Sequence, residues 1–303
     1  MRGSESGPTG LVTSEKSRMD LFRPIKVETG CTMPKPVKTF EHSPDYVQSL
    51  ARGLLVLRSF DAEQAHPSLA EVATRTDLSR AAARRLVLTL QHLGYLRAEG
   101  RGYALTPRVL ELGFGYLGTL NLTDMVQPLL ESLAHSVNQS CSMAVLDAQS
   151  IVYIARVPVQ RVMTVALGIG ARLPAYAASM GRVLLSGLSD ADLKTWLAQC
   201  QPRKLTTQTV TDPRKLKRIV DDVRAQRFAY VEQELELGLC SVAVPVRNQT
   251  GRIAAALNVS LSYHAGVARE AVDSMLPHLR ATATAIERCL PALCLAAVSL
   301  APP

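Results

Sequence analysis

The stretch from Ser68 to Leu93 constrains this chain more than any other. Ser68 stands three residues before Glu71, the spacing of a capping box. A short helix follows to about Arg75, with Leu69, Val72 and Ala73 facing inward. "TDLS" makes a turn, and Ser79 caps a second helix reading "RAAARRLVLTLQHLG", which Gly94 ends. That second helix has two faces. Leu86, Leu90 and Leu93 lie on one side, expected against Leu57 and Val72. Arg80 and Arg84, one turn apart, lie on the other with Arg85 beside them. Ala81 and Ala82 keep the leading end slim. A helix built this way can bury its leucines and present its arginines to a major groove, where arginine bonds guanine edges or grips phosphate. The bland alternative is a solvated cationic face.

The surroundings favour the groove. A helical pattern runs from near Asp45 to about Phe60, with Val47, Leu50, Leu54, Leu57 and Phe60 as its apolar face. After the arginine helix comes a small hairpin: Tyr95 and Leu96 enter, Gly100 and Gly102 turn, Tyr103 to Thr106 return, and Pro107 closes the unit. Arg97 and Arg101 are its phosphate or minor-groove contacts. Ser79, Arg80, Ala81, Arg84, Arg85, Arg97 and Arg101 are therefore the candidate residues for double-stranded DNA. Two copies on a two-fold axis would read a palindromic operator, so a homodimer is expected. Val47, Leu54, Val109, Leu110, Leu112 and Leu117 offer apolar surface for it.

Past this unit, "RVLELGFGYLGTL" reads as a connecting helix weakened by three glycines. A helix over about 123–137 follows. Strands are expected in "CSMAVLD", "SIVYIARV", "RVMTVAL", "LCSVAVPVRN" and "RIAAALNVSL". A loop and helix cover "GARLPAYAASMGRVLLSGL", and further helices cover about 190–199, 212–227 and 266–290. Strands paired directly, with helices outside, make an α+β unit around a largely antiparallel sheet. The expected boundaries are a flexible arm at 1–42, a winged helix-turn-helix at 43–107, a linker helix at 108–121, an effector-binding domain at 122–290 and a tail at 291–303.

The 303 residues carry 34 Lys and Arg against 26 Asp and Glu, a net charge of +8 that suits a polyanion without identifying one. The six cysteines lack the paired spacing of a metal site and read as buried reduced thiols. No metal or cofactor is expected. With no secretory signal and no segment of the roughly 20 apolar residues that cross a bilayer, the expected location is the cytoplasm, away from membranes.

The blocks "SLARGLLVLRSFD", "LAEVATRTDLSRAAARRLVLTLQHLGYL", "YALTPRVLELG", "LPAYAASMGRVLLSGL" and "YVEQELELGLCSVAVPVRN" resemble the IclR family of bacterial regulators, in the family's order over about residues 45–290. "LRSFDAEQAHPSLAEVATRTDLSRAAARR" and "ELELGLCSVAVPV" are similar to the branch controlling protocatechuate, 4-hydroxybenzoate and β-ketoadipate pathway genes of aromatic hydrocarbon catabolism. The resemblance implies a winged helix, a linker helix and a GAF-like effector domain. It implies a dimer, a tetramer on DNA as the larger assembly, and many activators in the branch, with RNA polymerase as a further partner. It places a small aromatic or dicarboxylic acid in a cup between the sheet and its loops. Carried onto this chain, Arg156, Arg161 and Arg172 are candidate cations for the carboxylate. Met143, Leu146, Leu173, Tyr176, Leu239 and Cys240 are candidate walls, and Ser142, Ser179 and Ser241 candidate hydrogen-bonding groups. Each also has an ordinary role, as core or as a partner of Glu232, Glu234 or Glu236.

Two other readings stand beside this one. An enzyme of small aromatic acids would use Cys240 or Ser241 as nucleophile and His264 as base, but no "GxSxG" elbow, metal cluster or phosphate-cradling glycine loop supports it. An architectural DNA binder would need no effector.

Overall fold

The computed structural model describes residues 43–61, 64–113, 115, 125–159 and 167–289. The expected arm at 1–42, half of the linker helix (114 and 116–121), the strand "RVMTVAL" with Arg161 except for Leu167, and the tail at 291–303 lie outside these residues.

Three helices form the head: α1 (Gln48–Arg58), α2 (Leu69–Thr76) and α3 (Arg80–His92). The capping box is made. Ser68 Oγ accepts from the Glu71 N–H, and Glu71 Oε2 accepts from the Ser68 N–H at 2.7 Å. Ser79 Oγ accepts from the Ala82 N–H at 3.2 Å to open α3. Asp77, in left-handed backbone with φ 52°, ends α2, and Gly94 at φ 81° turns the chain after α3. The hairpin β1 (Leu96–Glu99) and β2 (Gly102–Leu105) follows. Gly102 lies so close to the loop before α2 that an added Cβ would stand 2.4 Å from the His66 carbonyl oxygen. The Tyr103 N–H donates to Pro67 O at 3.0 Å across this contact, which ties the hairpin to the helices.

The head's core is Val56, Phe60, Val72, Ala73, Ala83, Val87, Leu90 and Leu96. The expected first-helix face divides, with Leu57 and Phe60 on the core. Val47, Leu50 and Leu54 are exposed, because α1 meets the other helices through Val56 and the residues after it. Leu93 is exposed too, since it sits at the α3 C-cap, beyond the buried stripe of Ala83, Val87 and Leu90.

The second unit is a six-stranded sheet in the order β5-β4-β3-β8-β7-β6, every pair antiparallel. Its strands are β3 (Ser140–Asp147), β4 (Ser150–Val157), β5 (Arg172–Pro174), β6 (Ala229–Glu232), β7 (Leu239–Arg247) and β8 (Ile253–Ser262). β5 and β6 were not expected from sequence; three and four residues are too short for a period-two pattern to show. One face packs on α4 (Gln127–Val137) and the C-terminal helix, which runs as α8 (Val267–Glu270), a π turn (Ala271–Met275) and α9 (Leu276–Cys289). The other face packs on α5 (Ser179–Ser186), with α6 (Asp190–Gln199) and α7 (Pro213–Gln226) outside it. Two separate cores, one on each face, bury Leu257 and Val259 against the first layer and Tyr153, Leu184 and Trp196 in the second. No described helix is long and apolar enough to cross a membrane.

Candidate functional site

Two surfaces carry chemistry. On the head, Arg80, Ala81, Arg84 and Arg85 are all exposed on the side of α3 away from its buried stripe. None of these arginines is in an ion pair among the described residues. Arg101 is exposed at the tip of the β1–β2 turn. Arg97 differs: it pairs with Glu99 at 2.7 Å, and His66 Nδ1 lies 3.6 Å from the same carboxylate. An exposed pair of this kind contributes little and exchanges readily for a phosphate.

The second surface is a cleft between the sheet and the start of α5, about 110 Å³ in volume, of the order of cavities that hold a single benzene ring. Its lining includes the expected Arg156, Leu173, Ser179, Leu239 and Ser241. No Asp or Glu lines it among the described residues.

Arg156 reaches this face through a bulge. On β4, residues 153 and 156 would point to opposite sides of a regular strand. The pairing skips Ile154: Ala155 faces Met143, and Tyr153 faces Ala144. The extra residue turns both Tyr153 and Arg156 into the cleft, with the guanidinium carbon 5.9 Å from the Tyr153 ring centroid. Arg156 Nη1 donates to Ser142 Oγ at 3.0 Å across the β3–β4 pair. Burial pushes the Tyr153 phenol up to about 12, so it stays neutral.

The polar row continues across the sheet. Asn258 on β8 pairs with Ser142, and Ser260 pairs with both Ser140 and Ser241. Asn258 is 4% exposed, its Nδ2 donates to Ser260 Oγ at 3.4 Å, and its buried Oδ1 has no hydrogen-bond partner. Ser241 Oγ donates to Ser179 Oγ at 2.8 Å, joining the row to α5. α5 opens on Ala178, whose side chain cannot cap it. Its first-turn N–H groups therefore have no side-chain acceptor, and Ala177, Ala178, Ser179 and Met180 line the cleft at this helix start. An uncapped helix start on one wall and a guanidinium on another both favour an anion.

The cleft wall is braced from behind. Arg182, 3% exposed, donates to Tyr176 O at 3.1 Å and to Glu234 Oε2 at 2.7 Å. The same carboxylate oxygen accepts from the Val210 N–H at 2.9 Å. This holds the turn after β6, which supplies Leu235 and Gly238 to the cleft. Gly181 seats α5 on the preceding turn: an added Cβ would stand 2.1 Å from the Ala175 carbonyl oxygen.

The other expected cleft residues lie elsewhere. Met143 and Cys240 face the opposite side of the sheet, in the core under α4 and α9, because strand alternation turns them away from Ser142 and Ser241. Arg172 is held at the hairpin end by Asp147, at 2.6 Å. Tyr176 is buried, its hydroxyl donating to Arg203 O at 2.9 Å and accepting from the Arg203 N–H at 3.0 Å. Leu146 borders the α5-side core without reaching the cleft, and Ser142 is buried beneath Arg156. Tyr153, Asn258 and Ser260 were missed. Asn258, Ser260 and Ser262 stand at alternate positions of an otherwise apolar strand, and that polar stripe was the available signal. The nucleophile arrangement does not form. Burial raises the Cys240 thiol, Cys240 and Ser241 face opposite ways, and His264 is exposed and paired with Glu270 at 2.9 Å.

Residues 114–288 match the family described as bacterial transcriptional regulator IclR C-terminal, and residues 49–100 match the IclR helix-turn-helix domain. The chain is 40% identical over 248 residues to the Pca regulon regulatory protein of Pseudomonas putida, covering 82% of this chain and 85% of that one. It is 37% identical over 244 residues to the p-hydroxybenzoate hydroxylase transcriptional activator of Acinetobacter baylyi, covering 79% and 90%. Among solved structures, it is similar to a double mutant of the inducer binding domain of the PobR transcription factor from Acinetobacter, in complex with 3-hydroxybenzoic acid. The TM-score is 0.51 with 32% identity, over 55% of this chain and 98% of that one.

Proposed function

The chain belongs to the IclR family of bacterial transcriptional regulators; from that premise we propose that it is a ligand-controlled DNA-binding regulator of aromatic-compound catabolism genes, switched by a small aromatic or dicarboxylic acid held in the cleft beside α5. The observation that carries the ligand reading is the pairing of an uncapped, buried helix start with the orphaned Oδ1 of Asn258 in one acid-free cleft. A buried acceptor without a partner typically costs about 1–3 kcal/mol, which a bound hydrogen-bond donor would recover. A carboxylate would accept from the α5 N–H groups and sit with Ser179 and Ser241. Arg156 would hold the far end of the ligand, and Leu173 and Leu239 would cover its apolar body.

On the head, Ser79, Arg80, Ala81, Arg84 and Arg85 would meet the major groove, with Arg101 and a re-paired Arg97 on phosphates. The exposed Val47, Leu50 and Leu54 of α1, with Leu110 and Leu112, would be covered in a homodimer on a palindromic operator. A tetramer on DNA, contact with RNA polymerase, a GAF-like ancestry of the sensor sheet and the five-part division of the chain belong to the same proposal. Coupling requires that the acid bind one arrangement of the dimer more tightly than the other.

The test is a thermal-shift panel of protocatechuate, 4-hydroxybenzoate, β-ketoadipate and terephthalate on wild type and Arg156→Ala. A ligand of the folded state raises the midpoint of wild type, increasingly with the logarithm of its concentration above Kd, and the shift collapses in Arg156→Ala. No shift with any acid of this kind, at millimolar concentration, would remove the cleft as an effector site.

A further inference from the structure

The arginine face of α3 carries an exposed apolar side chain, Leu88, that the DNA reading above leaves unused. Ala81, Arg84, Arg85 and Leu88 fall at i, i+3, i+4 and i+7, one stripe on the helix. Ala83, Val87 and Leu90 occupy the buried side. Leu88 therefore stands between the projections of Arg84 and Arg85, pointing away from the head's core. It is 40% exposed and is not one of the buried residues of the head's core. Helix propensity does not require it, since arginine, lysine and glutamine serve as well there without exposing apolar area.

We propose that Leu88 reads a thymine methyl group in the major groove, and that Ala81 reads a second one nearer the front of the helix. The thymine C5-methyl is the one apolar feature on the groove floor, and short apolar side chains are its natural contacts. Seven residues at about 1.5 Å each separate the two side chains by roughly 10.5 Å, which is three base steps of about 3.4 Å. The side-chain lengths are graded in the right sense. Alanine must come close to touch a base, while leucine reaches further, so α3 enters the groove with its N-terminal end deepest. Arg84 and Arg85, flanking this line, then fall beside it on guanine edges or phosphates. The inference rests on α3 being the groove helix, and it adds a sequence preference that arginines alone do not supply.

The full-length chain is used to select duplexes from a random-sequence pool. In the enriched duplex each thymine is replaced in turn by deoxyuridine, which removes only the methyl. In each half-site, two positions three base pairs apart should each weaken wild-type binding about fourfold, the worth of one buried methyl-sized group. In Leu88→Ala the sensitivity at one of them should vanish and the other remain, with an unchanged melting midpoint showing that the head is folded. A duplex with no methyl-sensitive thymine, or equal sensitivity in wild type and Leu88→Ala, overturns the proposal while leaving α3 as a DNA helix. Failure to enrich any duplex overturns both.

Discussion

The head and the sensor unit differ in where they keep their chemistry. The head is a small three-helix core with its working side chains on the outside: Arg80, Arg84 and Arg85 are exposed, and the core behind them holds eight buried residues. The sensor unit turns its chemistry inward. Its polar row of Arg156, Ser142, Asn258 and Ser260 lies on a sheet face that a helix layer covers, braced by a buried ion pair. An outward site can be altered with little effect on folding. An inward one is part of the structure that forms it, so stability and recognition are separable in the head and entangled in the sensor.

The largest effect that would break or sharpen this contrast is at Glu234. Glu234→Ala strands the buried Arg182 guanidinium and is expected to lower sensor stability by about 3–5 kcal/mol. Chemical denaturation should show this loss, with much of it recovered by the double substitution Arg182→Met, Glu234→Leu. Next in size is Arg84→Ala, which should cost about 1–3 kcal/mol of specific DNA binding, about fivefold or more at fixed salt, with no change in melting midpoint. A matching loss of stability there would dissolve the distinction between the two units. Asn258→Leu is the exception inside the sensor: it removes an unsatisfied acceptor, so the fold should stay as stable as before, while acid binding should weaken about tenfold by calorimetry. The smallest effect is at the head's capping box. The Ser68 N–H holds the Glu71 carboxyl below its usual range. The stabilisation is present above the ordinary glutamate range and is lost as pH falls through the depressed value. Melting midpoints of wild type and Glu71→Gln should therefore differ at neutral pH and converge in acid.

The same contrast governs what the sequence discloses. Caps, turns and the two faces of α3 are local and follow a 3.6-residue period, so Ser68, Ser79, Gly94 and the arginine stripe were legible. The expected apolar face of the first helix divides: Leu57 and Phe60 reach the core, whereas Val47, Leu50 and Leu54 stay exposed, and Leu93 lies past the end of the buried α3 stripe. In the sensor, which side chains share a face depends on register. The bulge at Ile154 brings Tyr153 and Arg156 together, and no local pattern marks it. Met143 and Cys240 stand one residue from Ser142 and Ser241 and so face away from the cleft, because alternation puts neighbours on opposite sides of a strand. Arg172 and Arg161 looked equivalent to Arg156 in sequence; the Asp147 partner that occupies Arg172 lies 25 residues away, across the hairpin.

The central claim is that an acid in the inward cleft alters what the outward helix does on DNA. Affinity for a selected palindromic duplex, titrated at constant salt with and without saturating acid, measures this directly. In wild type the acid should change affinity at least fivefold or shift the footprint; Arg156→Ala should bind the duplex normally and ignore the acid. An acid that binds the wild-type cleft and leaves both affinity and footprint untouched would contradict the account.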